Sequence, residues 1–179
     1  MNLTTQKPRP GSRGGKKSSN GDRSLPLSIL EINRPLPNDC EAEAGVLSAC
    51  LADPTAVDRA IELIEPSDFY RRGHEIIFNR LVNMRKKGKW YTPTSILTSF
   101  RDHPQYDRLE SIIFDLGPFI TGQTSRHFAG MVRDFSRKRQ VAIAGMRVIE
   151  NAFAATADVD EILSQATADF ASIRQSGSK

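Results

Sequence analysis

The chain has 179 residues, about the length of one domain and enough to bury a core. Hydrophobic residues make up only 39%, which leaves room for a polar portion, and 25 basic against 21 acidic residues give a net charge of +4. No apolar run approaches the ~18 residues of a membrane span, and the polar start lacks the apolar centre of a signal peptide. A cytoplasmic protein with no membrane contact is therefore expected.

The charge is concentrated at one end. Residues 1–35 hold Lys7, Arg9, Arg13, Lys16, Lys17, Arg23 and Arg34 against Asp22 and Glu31, while the remainder holds 18 basic and 19 acidic residues. A basic folded face for nucleic acid is thus not required by composition. The first 24 residues are rich in Gly, Ser, Pro, Lys and Arg and cannot bury enough surface to offset their conformational entropy, so a disordered tail is expected. Residues 25–32, Leu-Pro-Leu-Ser-Ile-Leu-Glu-Ile, form an apolar arm. The arm is expected to dock on its own domain; the alternative is a short motif that folds onto a partner.

Residues 36–121 read as a helical bundle. Asn38 is the expected N-cap of the first helix, with Glu41 at capping-box spacing and Val46, Leu47, Cys50 and Leu51 as its inward face. Asp53-Pro54 restarts the chain, and Val57, Ala60, Ile61 and Ile64 form the next stripe. A third helix is expected over 72–87, with Ile77, Phe78, Leu81 and Met84 apolar. Gly88 is its stop, and Arg85, Lys86 and Lys87 suit the negative end of its dipole. Thr92-Pro93 opens a further helix with Ile96, Leu97 and Phe100. After Asp102-His103-Pro104 a short helix carries Leu109, Ile112 and Ile113 and ends at Gly117-Pro118, with Gly122 closing the loop after it.

Residues 122–175 read as a helical hairpin of the same domain. Phe128, Val132, Phe135, Arg139, Ala142, Met146, Ile149 and Phe153 recur at steps of four and three, the seam of one long helix. Asp158 caps a second helix with Glu161 at box spacing, and its seam is Val159, Leu163, Ala166, Phe170 and Ile173. Two such helices joined by a short turn make an antiparallel hairpin with apolar sides. No apolar–polar alternation appears anywhere, so the fold class expected is all-α.

The chemistry-bearing residues are few. Cys40 and Cys50 lie ten apart on one helix, which excludes a disulfide between them while the helix is intact, and reduced packing thiols are expected. Gly14-Gly15-Lys16-Lys17-Ser18 has the wrong spacing for a phosphate-binding loop and no strand before it. Three histidines without an i, i+4 pair give no metal or nucleophile constellation, so no catalytic site, metal or cofactor is expected. His74 reads as a locally bonded helix residue. Arg133, Arg137, Lys138, Arg139 and Arg147 on the long helix read first as a solvated face; the functional alternative is contact with an acidic partner or with nucleic-acid phosphates, in which Lys16 and Lys17 would share. Trp90-Tyr91 could stack a base, but aromatics beside a helix start are more often packed under it.

Three motifs carry a resemblance. Pro37, Glu41, Ala42, Glu43, Val46 and Leu47 come first; Asp68, Phe69, Tyr70, Arg71, His74, Ile77 and Phe78 follow; then come Ala129, Val132, Arg133 and Asp134 with Lys138-Arg139 downstream. In order and spacing they resemble the N-terminal domain of the bacterial replicative DNA helicase, the ring helicase of the DnaB type, over residues 35–175. The chain departs from that pattern at Arg108-Leu109-Glu110-Ser111-Ile112-Ile113 and at Gly122-Gln123-Thr124-Ser125, and the basic tail is not part of it.

The resemblance implies a helical bundle followed by a hairpin that pairs with the hairpin of a neighbouring subunit, helping to build a ring that is a trimer of dimers. It implies contact with primase and, in some systems, a helicase loader. Phe128, Val132, Phe135, Met146, Ile149, Phe153, Leu163 and Phe170 would hold the hairpin and its dimer partner. Members of that family are ATP-dependent helicases. Here the chain stops at Lys179 before a motor domain could begin, so a non-enzymatic replication module is expected, self-associating and binding helicase, primase or loader. The alternative is a DNA-binding accessory protein that uses the basic tail, with the helical domain as dimeriser.

Overall fold

The computed structural model describes residues 35–116, 124–154, 156 and 158–176. Expectations for the tail with Lys16 and Lys17, for the arm 25–32, and for Gly117, Pro118 and Gly122 lie outside the described residues. Seven α-helices, one 3-10 turn and no strand occur among the described residues, as the all-α reading requires. They are α1 (Cys40–Ala52), α2 (Pro54–Ile61), the 3-10 turn Pro66–Asp68, α3 (Arg72–Lys86), α4 (Pro93–Thr98), α5 (Tyr106–Asp115), α6 (Ser125–Phe153) and α7 (Val159–Ser176). The described residues from Pro35 onward form one compact unit.

α1 is the axis of the bundle, flanked by α2, α3 and α6. From Ala42 to Leu51 every residue except Ala44 is buried, so the helix is enclosed on all faces rather than on the single stripe its sequence suggests. Small side chains make this enclosure possible. At Gly45 the ring of Phe128 from α6 lies so near that an added Cβ would stand 2.9 Å from it. The N-cap is Asp39, not Asn38: its carboxylate accepts from the amides of Glu41 (3.1 Å) and Ala42 (2.9 Å). Asn38 instead donates to the Leu36 carbonyl at 2.8 Å, which turns its side chain away from the helix end.

At the other end of α1, Pro54 stands where the Cys50 carbonyl would find its helical donor, and proline has no N–H. The Tyr91 hydroxyl fills the gap, donating to that carbonyl at 2.7 Å in a buried setting. Tyr91 is therefore packed, as expected of an aromatic beside a helix start, while Trp90 is 76% exposed.

α2 buries Ala56, Val57 and Ala60. Its expected stripe ran through Ile61 to Ile64, but the helix ends at Ile61. The amides of Leu63 and Ile64 both turn back to the Ala60 carbonyl, leaving Ile61 exposed and Ile64 buried. Gly88 closes α3 in the left-handed region at φ 64°, where glycine is unstrained. Arg85 does more than face a dipole: it holds Asp58 of α2 through Nε and Nη2 at 2.6–3.0 Å. That guanidinium keeps the Asp58 carboxyl below its ordinary value of 3.8. Thr92 and Ser95 cap α4 reciprocally, and α4 and α5 close the bundle with Ile96, Phe100, Leu109 and Ile113.

α6 runs for 29 residues, ~43 Å, and α7 folds back along its second half. Arg147 of α6 pairs with Asp169 of α7 at 2.7 Å.

Candidate functional site

The motif residues converge on a buried polar hub. Glu43 of α1 is 1% exposed, and its carboxylate accepts from the amides of Tyr70 (2.5 Å) and Arg71 (3.3 Å) and bonds Nδ1 of His74 (2.8 Å). α3 begins here with Arg71 as an N-cap that makes no side-chain cap bond, so a carboxylate from another helix serves the helix start instead. His74 is thus bonded across 31 residues of sequence, not locally. Asp68 extends the hub: one carboxylate oxygen accepts the Glu65 amide at 2.8 Å and the other the Ser136 hydroxyl at 2.6 Å.

Arg139 completes it. The guanidinium donates to the carbonyls of Asp68 and of Pro37 (3.1 Å) and lies 5.7 Å from the centre of the Tyr70 ring. It is buried, so the placement of Arg139 on an open basic face for a partner is corrected: its donors are directed to the protein's own backbone. The hub ties α1, the 66–71 segment, α3 and α6 into one body. Its polar atoms are largely satisfied by one another, as a structural framework requires.

Glu43 carries this hub, yet it carries no motif chemistry that spacing reveals. One signal is available: Glu43, Val46, Leu47 and Cys50 share one helical face, which places a carboxylate inside an apolar stripe.

The seam of α6 is divided between two surroundings. Val132 and Ala129 are buried and Phe128 packs on the core over Gly45, so Phe128 and Val132 belong to the bundle rather than to an outward seam. Phe135 is half-buried, with the Lys138 ammonium 4.7 Å from its ring centre. Met146 and Ile149 are half-buried along the hairpin. Phe153 is 67% exposed, Leu163 58% and Phe170 42%.

No described residue of α7 is buried. Ile162, Ala166, Asp169 and Ile173 form its half-buried stripe, leaving Val159, Leu163 and Phe170 outward. The hairpin therefore presents an outward apolar stripe on α7, and Val141 and Ile143 of α6 are exposed as well.

The remaining basic residues are spread out. Arg147 is paired with Asp169. Arg133 and Arg137 line a cleft of about 190 Å³ with Glu62, Glu65 and Asp68. Arg137 and Lys138 also line a notch at the foot of the hairpin with Val141 and Ile173. Elsewhere an apolar groove of about 390 Å³ lies between Leu51, Leu97 and the exposed Phe114. Burial pushes the Cys50 thiol up to about 12, which makes it an inert packing group. Among the described residues no group of three or more His, Cys, Asp or Glu could hold a metal ion, and no helix is long and apolar enough to cross a membrane.

The sequence profile of the DnaB-like helicase N terminal domain matches residues 35–134. The chain belongs to the DnaB-like helicase N-terminal domain family. It is 25% identical over 146 residues to the replicative DNA helicase DnaC of Bacillus subtilis (strain 168) and 26% identical over 146 residues to the replicative DNA helicase DnaB of Geobacillus stearothermophilus. Each match takes in 78% of this chain but 32% of the helicase, so the chain spans about a third of the length of these relatives. The fold is that of the crystal structure of the N-terminal domain of DnaB helicase from Mycobacterium tuberculosis, with a TM-score of 0.71, 23% identity, and coverage of 77% of this chain and 99% of that one. In this member of the DnaB-like family the shared profile ends at residue 134, inside the part of α6 held by the bundle. The outward face of the hairpin lies beyond it.

Proposed function

We propose that the chain is a non-catalytic DNA replication module that self-associates through the α6–α7 hairpin and docks on a helicase, primase or helicase loader. The observation that carries this reading is the hairpin's outward apolar face, with Phe153, Leu163 and Phe170 each more than a third exposed. A monomer in water rarely leaves such a face uncovered, and two copies covering it together satisfy the same side chains. Family membership supports the replication context, because the curated relatives are replicative DNA helicases.

Light scattering on the eluting protein tests the first half. The expected result is a mass that rises with concentration to a dimer or higher, and a strict monomer at high concentration counts against it. Co-elution with a replicative helicase or a primase tests the second half, and no complex with either overturns it. The concentration of basic residues in 1–35 favours a subsidiary DNA contact. Deleting residues 1–24 should then remove a DNA affinity that falls steeply with salt.

A further inference from the structure

The fold splits the pair Trp90-Tyr91. The Tyr91 ring is buried and its hydroxyl donates to the Cys50 carbonyl at 2.7 Å, while its neighbour Trp90 is turned outward and is 76% exposed. No described aromatic residue is more exposed. The backbone just before it is equally fixed. At the end of α3 the Lys89 amide donates to the Met84 carbonyl at 3.1 Å and the Gly88 amide to the Arg85 carbonyl at 2.9 Å. That is the paired closure of a helix ending on a left-handed glycine. Trp90 thus stands between two anchored neighbours, and a ligand meeting it finds a turn that is already set.

Lysines surround the ring. Lys86, Lys87 and Lys89 are exposed, and none has a carboxylate partner among the described residues. Arg85, by contrast, is committed to Asp58. The end of a helix carries about half a negative charge, too little to account for three lysines. Four residues separate Lys86 from Trp90, so the α-carbons of all three lysines lie within ~14 Å of that of the tryptophan.

Single-stranded nucleic acid uses both features at once, since its bases stack on aromatic rings and its phosphates take ammonium groups. A base inside a duplex has both faces covered, so an aromatic platform discriminates in favour of the single strand. We propose that the 86–90 turn is a binding site for single-stranded nucleic acid, in which Trp90 stacks one base and Lys86, Lys87 and Lys89 hold the phosphates beside it. The site uses none of the basic residues of 1–35 and does not depend on self-association.

Trp90 is the one tryptophan of the chain, so its fluorescence reports on this turn alone. Titrating the full chain with a single-stranded oligothymidylate of about ten nucleotides should quench it, and the same sequence in a duplex should not. Replacing the lysines together, Lys86→Ala, Lys87→Ala and Lys89→Ala, should weaken the quenching. It should also lower the slope of log affinity against log salt by about 2, the share of three phosphate contacts on a single strand. In the anisotropy of a labelled strand, Trp90→Ala should bind about tenfold more weakly. All four side chains are exposed, so folding is preserved, and circular dichroism checks that it is. Binding without quenching, unchanged in both variants, assigns the contact to residues 1–35 and overturns the site. Equal quenching by the duplex overturns the stacking. A chain that leaves the strand unbound but whose fluorescence shifts to the blue on phosphatidylserine vesicles makes the turn a membrane contact, and no response to either probe overturns the proposal outright.

Discussion

α1 and α7 are both polar–apolar mixtures, yet one is enclosed on every side and the other has no buried residue among those described. The difference lies in what surrounds each. α1 holds a carboxylate, a glycine and several alanines, so three helices close around it and its polar groups must be answered from within: Glu43 by His74 and two amides, the Cys50 carbonyl by Tyr91. α7 packs chiefly on α6, and among the described residues its outward apolar side chains stay exposed. One region is finished by its own residues; the other is finished, on the function proposed above, by a second copy.

The sharpest way to break that comparison is at the hub. Glu43→Ala leaves His74 and two amides buried without their acceptor, and removal of one member of a buried polar pair costs about 3–5 kcal/mol. A urea unfolding curve should shift by that amount, and an unchanged midpoint would mean the hub does not hold the bundle. Tyr91→Phe is milder. It deprives only the Cys50 carbonyl, and about 1 kcal/mol should be lost in the same measurement.

Smaller still is the surface pair of Asp58 and Arg85. Because the folded Asp58 carboxyl is held below its ordinary value, its contribution is complete above about pH 4 and fades as pH falls through the lowered folded value. Wild type should exceed Asp58→Asn by about 0.5 kcal/mol near neutrality and converge with it in acid. A gap that widens in acid would contradict the sign. Last comes Leu163→Ser on the outward face, which should move monomer stability by less than ~0.5 kcal/mol while weakening self-association. Were it to unfold the chain, α7 would belong to the bundle's core after all.

The elements that local chemistry dictates were legible. Asp53-Pro54, Thr92-Pro93 and Gly88 punctuate the helices where a cap, a ring or a positive φ decides the matter within a few residues. Neighbouring capping residues were not separable, since Asn38 and Asp39 both suit an N-cap and only the carbonyl of Leu36 distinguishes them. The reading of Ile61 as inward failed because two amides sharing one carbonyl tightened the end of α2.

Tertiary bonds were beyond local pattern altogether. Glu43 and His74 are 31 residues apart, and Arg139 reaches backbone carbonyls 71 and 102 residues away. In α6 a repeat of fours and threes is the same whether it faces a bundle or a free helix, so it could not announce that Phe128 and Val132 fall on one side of Arg139 and Phe153 on the other. In α7 the inward stripe includes Asp169, whose charge conceals it from any search for apolar periodicity, although Arg147 and Gln165 hold that charge in place.

The continuity of α6 makes it a lever with its fulcrum at Arg139. Fourteen residues separate that anchored arginine from Phe153, an arm of ~21 Å with no break in the helix. A tilt of about 10° at the fulcrum sweeps the tip through roughly 4 Å, more than the width of a hydrogen bond. The hydrogen bonds from Arg139 to the carbonyls of Pro37 and Asp68 are thus the anchor at the base of that arm.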